Sequence, residues 1–240
     1  MQNIIVAVRK TLKAEAAEAV RISGQRFFKE KIKLYGVPLP RVRQIAKAYF
    51  TDVKHLPKEQ LFALCETLWQ SGTLEEAGIA CAWIRRIHPQ LKPKDWTVLE
   101  HWIGAYITNW AACDMFCNHT VGTFLEMYPH YVRRLQTWAK SKNLWTRRAA
   151  AVSLIIPARK GLFHEEVFTL AEILLLDAED MVQKGYGWML QSAGGFDESA
   201  VFEFVMKHKS VMPRTALRYA IEKMPPSLKE QAMQKTAVSK

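Results

Sequence analysis

A chain of 240 residues can bury one sizeable core or a continuous array of small units, and 49% hydrophobic against 24% charged residues excludes a disordered chain. Lysine and arginine number 34 against 23 acids, giving a formal charge of +11. That imbalance favours a polyanionic partner, because basic side chains near phosphates release condensed counterions, although a cationic surface kept for solubility would give the same count. Cys65, Cys81, Cys113 and Cys117 are too few and too irregularly spaced for a disulfide framework, which points to a reducing, cytoplasmic setting.

The opening "MQNIIVAVRK" holds a short apolar run before Arg9, too brief for a signal-peptide core, and no later stretch reaches membrane-spanning length. Beyond it, apolar residues recur at three and four positions while Gly and Pro are sparse, and strict two-residue alternation is absent. The pattern predicts short helices over 40–50, 57–69, 74–87, 96–107, 110–127, 131–140, 145–156, 164–176, 181–190, 199–208 and 213–222. Three of them resemble one another: "NLWTRRAAAVSLI", "EDMVQKGYGWMLQ" and "KSVMPRTALRYAI" each place a basic residue (Arg148, Lys184, Arg214) before small residues and then large apolar ones. The interval is about 30 to 36 residues, and Trp145 aligns with Trp110 at a similar spacing, the signature of helical hairpins that bury their apolar faces only by stacking. The expected fold is all-α, a right-handed α-solenoid of stacked antiparallel helical hairpins of the HEAT or armadillo kind. It would be C-shaped with a basic concave groove, one domain over 1–240 with about six helical pairs and a tail partly frayed from 225 to 240.

Stacking aligns equivalent positions of successive second helices on one surface. At about 100° per residue, this register places Trp110, Asp114, Arg148 and Trp188 within about 100° of arc, the width of one helix face. Around them lies a wider basic field that includes Arg41, Arg43, Lys47, Arg133, Arg134, Arg147 and Lys184. Guanidinium and ammonium groups suit phosphate, and indole rings give flat apolar faces for sugar or base. A carboxylate among them normally repels nucleic acid. It makes sense where the bound nucleotide is cationic, or becomes so as a glycosidic bond breaks with oxocarbenium character.

Plainer readings stand beside these. Asp114 also fits an ordinary first-turn acid behind Asn109 as cap, and either tryptophan also fits a core position. Arg147 and Arg148 are inseparable by sequence, since either can hold the repeat together by bonding a neighbouring carbonyl. Cys113, Cys117 and His119 offer soft ligands on one helix but lack a fourth partner and any CxxC or HxxxH spacing, so buried thiols are expected and no metal. No phosphate-binding loop, dinucleotide glycine pattern or serine nucleophile elbow occurs.

"NWAACD", "NLWTRRAA" and "KGYGWML", with "LYGVPLPRVRQI" from Leu34, resemble in this order the motifs of the AlkD family of DNA alkylation repair enzymes. The resemblance spans roughly residues 25–225. It implies a HEAT-like-repeat glycosylase that hydrolyses the N-glycosidic bond of cationic N3- and N7-alkylated purines in double-stranded DNA, without a deep base-flipping pocket. A bacterial, nucleoid-associated monomer without cofactor is implied as well. Asp114 matches the catalytic carboxylate, Trp110 and Trp188 the aromatics against the deoxyribose, and Arg148 a contact to the backbone near the lesion, with Arg147 and Lys184 as further DNA-binding candidates. Phe27 stands where the family leads one to expect tyrosine, keeping the ring and losing the hydroxyl hydrogen bond. "WAACD" also lacks the acidic and hydroxyl residues often found within that motif. The alternative is a non-catalytic HEAT-repeat module that binds nucleic acid; a protein-binding solenoid is a third reading.

Overall fold

The computed structural model describes residues 2–234, and among these the regular structure is helical, with an isolated parallel bridge between Lys33 and Thr73. The chain forms two compact units, Met1–Phe116 and Cys117–Lys240.

The first unit contains α1 (Gln2–Ala14), α2 (Glu18–Gln25), α3 (Leu39–Val53), α4 (Lys58–Trp69), α5 (Leu74–Arg86), α6 (Trp96–Tyr106) and α7 (Trp110–Phe116). In α1 the buried stripe is Ile5, Val8 and Leu12, spaced three and four apart as one helix face requires. Helix α5 packs against α3, α4 and α7. Its Trp83 is wholly buried and donates its indole N–H to the Ala46 carbonyl at 2.9 Å, so the ring carries no unmet polar group into the core. Behind α7, Phe116 meets Trp69 edge-on at 5.5 Å and Trp102 at 5.9 Å.

In the second unit a π-helical turn, Cys117–Val121, leads into α8 (Gly122–Met127), and a 3-10 stretch, Pro129–Arg134, precedes α9 (Leu135–Ala139). There follow α10 (Leu144–Val152), α11 (Ile155–Arg159), α12 (His164–Ile173), α13 (Asp180–Ala193), α14 (Glu198–His208), α15 (Arg214–Ala220) and α16 (Pro226–Met233). The three look-alike segments of the sequence are α10, α13 and α15, and α13 packs against both of the others. A Cβ on Gly187 would lie 2.7 Å from the Ala216 carbonyl oxygen, and one on Gly185 would lie 3.3 Å from Arg148 Cγ. The two glycines stand about 200° apart around α13, so each opens a different side of the helix to a neighbour.

Some expectations are corrected. The helix expected over 110–127 runs unbroken over those residues, with a π-helical turn at Cys117–Val121 inside it, whereas the one expected over 145–156 is interrupted at Ser153–Leu154. Pro157 has no N–H to give the Ser153 carbonyl, and the Ser153 hydroxyl bonds back to the Ala149 carbonyl at 2.7 Å. Helices α1 and α2 precede the first of the helices expected, and α16 lies within 225–240; residues 235–240 lie outside the described residues.

Replacing Gly187 with alanine forces a methyl group into the α13–α15 contact. It is expected to cost about 1–3 kcal/mol, lowering the melting temperature by several degrees in a circular-dichroism melt. Gly104→Ala, within α6 where an added Cβ meets nothing within 4 Å, should instead be neutral or raise stability by up to about 1 kcal/mol.

Candidate functional site

Helix α7 is built by its cap and its small residues. The side chain of buried Asn109 accepts the Ala112 N–H at 2.9 Å, which satisfies one of the orphan donors at the helix start. Ala112, Cys113 and Phe116 are the buried side of α7. At about 100° per residue Trp110 and Asp114 fall within about 40° of each other on the opposite side, and both are half-buried. An apolar core on one face therefore presents an indole and a carboxylate on the other.

The indole of Trp110 is held by the turn that follows α2. Its Nε1–H donates to the Phe27 carbonyl at 3.3 Å, and its ring stacks on Phe28 with centroids 5.2 Å apart and planes inclined by 20°. The Phe27 side chain is 72% exposed. Phe28 carried no signal in the sequence, because an aromatic beside another aromatic in a loop has no periodicity to mark its partner. Farther along, the segment is anchored to the start of α5. Glu75 accepts the N–H groups of Gly36 and Val37, and Glu76 accepts the Tyr35 hydroxyl and the Arg9 guanidinium. Burial, together with the bond to Glu76, pushes the Tyr35 hydroxyl up to about 12.

In the second unit, α13 turns Val182, Tyr186, Met189, Leu190 and Ala193 into the core. Lys184 and Trp188, one turn apart, occupy the opposite side, half-buried. Lys184 pairs with Asp180 at 2.8 Å. Arg148 is 5% exposed and donates through Nη1 to the Met181 carbonyl. Arg147 clasps Asp177 at 2.6 Å and donates to the Ser141 carbonyl at 3.0 Å. The bond to Asp177 raises the Arg147 guanidinium above its ordinary value. Both arginines thus hold helix termini and loops together, the role that sequence reasoning could not assign to one over the other.

Trp110, Asp114 and the Phe27 turn come together in the first unit, and Arg147, Arg148, Lys184 and Trp188 are gathered around α13 in the second. Of the wider basic field, Arg43 and Lys47 on α3, Arg133, Arg134 and Lys142, and Arg214 and Arg218 on α15 are exposed. All four cysteines are buried and free, and among the described residues no group of three or more His, Cys, Asp or Glu is placed to hold a metal ion. Among the same residues no helix is long and apolar enough to cross a membrane.

Residues 8–224 match the family model described as DNA alkylation repair enzyme. The chain belongs to that family. Membership carries a role in DNA repair, with DNA as the partner. Among solved structures, one described as a predicted DNA alkylation repair enzyme from Enterococcus faecalis superposes with a TM-score of 0.79. The match covers 88% of this chain and 98% of that one at 15% identity, a likeness of fold. No curated protein matches.

Because Arg148 is buried, Arg148→Ala should destabilise the protein by about 2–4 kcal/mol in chemical denaturation even without DNA, through a lost charged hydrogen bond and a cavity. Lys184→Ala, which breaks a half-exposed helical pair, should stay within about 0.5 kcal/mol of the parent.

Proposed function

We propose that this member of the family is a monofunctional DNA glycosylase that hydrolyses the N-glycosidic bond of cationic N3- or N7-alkylated purines in duplex DNA, with Asp114 as its electrostatic catalyst. The observation that carries the reading is the carboxylate of Asp114 on the side of α7 turned from the core, one helical turn from Trp110, in a chain of net charge +11.

An alkylated purine already carries the positive charge that makes it a good leaving group. As the bond to C1′ stretches, that charge moves from the base to the sugar, and the departing base becomes neutral without being protonated. A fixed carboxylate near the sugar favours the oxocarbenium-like state more than the ground state, and a water held on the same side adds to C1′ and gives its proton to that carboxylate and thence to solvent. A unit charge pair about 4 Å apart at an effective dielectric near 20 is worth roughly 4 kcal/mol, of the order of a thousandfold in rate. Trp110 would offer a flat apolar wall to the deoxyribose, excluding water and keeping the local dielectric low, and Trp188 would serve the second unit as an aromatic DNA contact. Lys184 and the exposed basic side chains would bind phosphate, while Arg147 and Arg148 would act by fixing α10 and the start of α13.

Phenylalanine at position 27 favours a second reading, binding of nucleic acid without base removal. The two separate on one substrate, a duplex containing 7-methylguanine. Glycosylase action predicts release of free 7-methylguanine by the parent, and a rate lowered roughly 10²- to 10³-fold in Asp114→Asn with little change in duplex affinity. Retention of the duplex with no free base, or equal rates in parent and variant, would sink the catalytic assignment.

A further inference from the structure

We propose that Phe28, with the backbone of Phe27, is a positioning element that sets the indole of Trp110 so that a single face of the ring is offered to substrate; this rests on the glycosylase reading above.

The geometry accounts for each way an indole can engage a ligand. Its N–H is already committed to the Phe27 carbonyl at 3.3 Å, so Trp110 is not a donor in waiting for a phosphate or a base edge. One ring face is covered by Phe28, with centroids 5.2 Å apart and planes 20° from parallel. What remains is the other face, an apolar and weakly electronegative surface suited to the C–H bonds of a sugar or to a developing cation.

The turn that carries Phe27 and Phe28 is itself braced. The side-chain amide of Gln25 donates to the Glu30 carbonyl at 2.8 Å and accepts the Ile32 N–H at 3.1 Å, closing the loop upon itself. Beyond it, the Lys33 carbonyl accepts the Leu74 N–H at 3.1 Å, and Glu75 holds the Gly36 N–H at 2.8 Å. Gly36 has a φ of +92°, and a Cβ there would lie 2.5 Å from the Ala17 carbonyl oxygen, so this crossing admits only glycine. The start of α5 thus fixes the turn, the turn fixes the indole, and the indole stands one helical turn from Asp114. A ring free to tilt would admit bulk water beside the one that attacks and would weaken the field of the carboxylate, a loss felt in the transition state more than in ground-state binding.

The test compares Phe28→Ala and Phe28→Tyr with the parent. Incorporated 5-fluorotryptophan, with the Trp110 resonance assigned by its absence in Trp110→Phe, reports the ring in the DNA-free protein. Single-turnover release of 7-methylguanine, with affinity for undamaged duplex measured alongside, reports function. The expected result is a Trp110 resonance that shifts in Phe28→Ala and returns in Phe28→Tyr. Base release should be slowed roughly tenfold to a hundredfold in Phe28→Ala, undamaged-duplex affinity unchanged, and the rate largely rescued by tyrosine. An unmoved resonance in folded Phe28→Ala overturns the proposal, as does parental base release despite a moved one. Equal losses in plain-duplex affinity and base release, unrescued by tyrosine, also overturn it in favour of a purely structural role. If the parent itself releases no base, the glycosylase reading fails and takes this inference with it, a result distinct from an active parent whose Phe28 variants match it.

Discussion

Between Gly187 and the Ala216 carbonyl oxygen there is no room for a methyl group, the added carbon falling 2.7 Å away, so α13 and α15 touch through their backbones. On another side of α13, Gly185 leaves space for the aliphatic stem of Arg148. Short helices of this kind are marginal alone in water and gain their stability from packing an amphipathic face. Close approach multiplies dispersion contacts per residue, which lets helices as short as α10 and α15 contribute a continuous core. It also fixes rotation: with Gly185 and Gly187 facing neighbours and Tyr186 facing the core, Trp188 and Lys184 have only the remaining side of α13 to occupy.

Charge in this chain is organised as much as it is abundant. Many carboxylates are spent locally: Glu76 with Arg9, Asp177 with Arg147, Glu126 with Lys160, Asp180 with Lys184. These pairs brace the helices and loops, and they remove both partners from the surface field in nearly equal measure. The net positive charge seen by a distant polyanion therefore comes from exposed cations such as Arg43, Lys47 and Arg218, while the pairs contribute little beyond a Debye length. Buried Arg148 belongs with the bracing groups, its guanidinium turned to the Met181 carbonyl. Under the glycosylase reading, recruitment of DNA and local chemistry would fall to different residues, so one acid could face a cationic sugar without cancelling the attraction that brings phosphate to the protein.

The helical class was legible as a period of 3.6 written in apolar residues, and the three look-alike segments as a repeat of about 30 to 36 residues. Helix α1 carries the same period in Ile5, Val8 and Leu12, outside the helices expected from the sequence. The break at Ser153 had a sign in Pro157, four residues on, where a missing N–H must fall. The π-helical turn over Cys117–Val121 had none, since it holds neither Gly nor Pro and one extra residue in a turn leaves no compositional trace. The pairing of Phe28 with Trp110, far apart in the chain, is a tertiary contact that periodicity cannot reach. Arg147 and Arg148 look alike in sequence for the same reason: what separates them is which carbonyl or carboxylate each one meets.

Electrostatic catalysis makes its largest demand on immobility, because a carboxylate that must reorient as charge develops loses most of its advantage over water. The α-helical hydrogen bonding of α7 runs for seven residues before the π-helical turn takes over, too few to fix its register alone. Its rigidity is borrowed from the Asn109 cap, from Phe116 wedged between Trp69 and Trp102, and from the turn that grips Trp110. None of these groups need touch substrate, yet each limits how far the Asp114 carboxylate can move. Under the glycosylase reading, the aromatic core of the first unit is therefore part of the catalytic apparatus. Substitutions at Phe116 or Trp69 would reach the reaction through the orientation of α7 before they reached it through global unfolding.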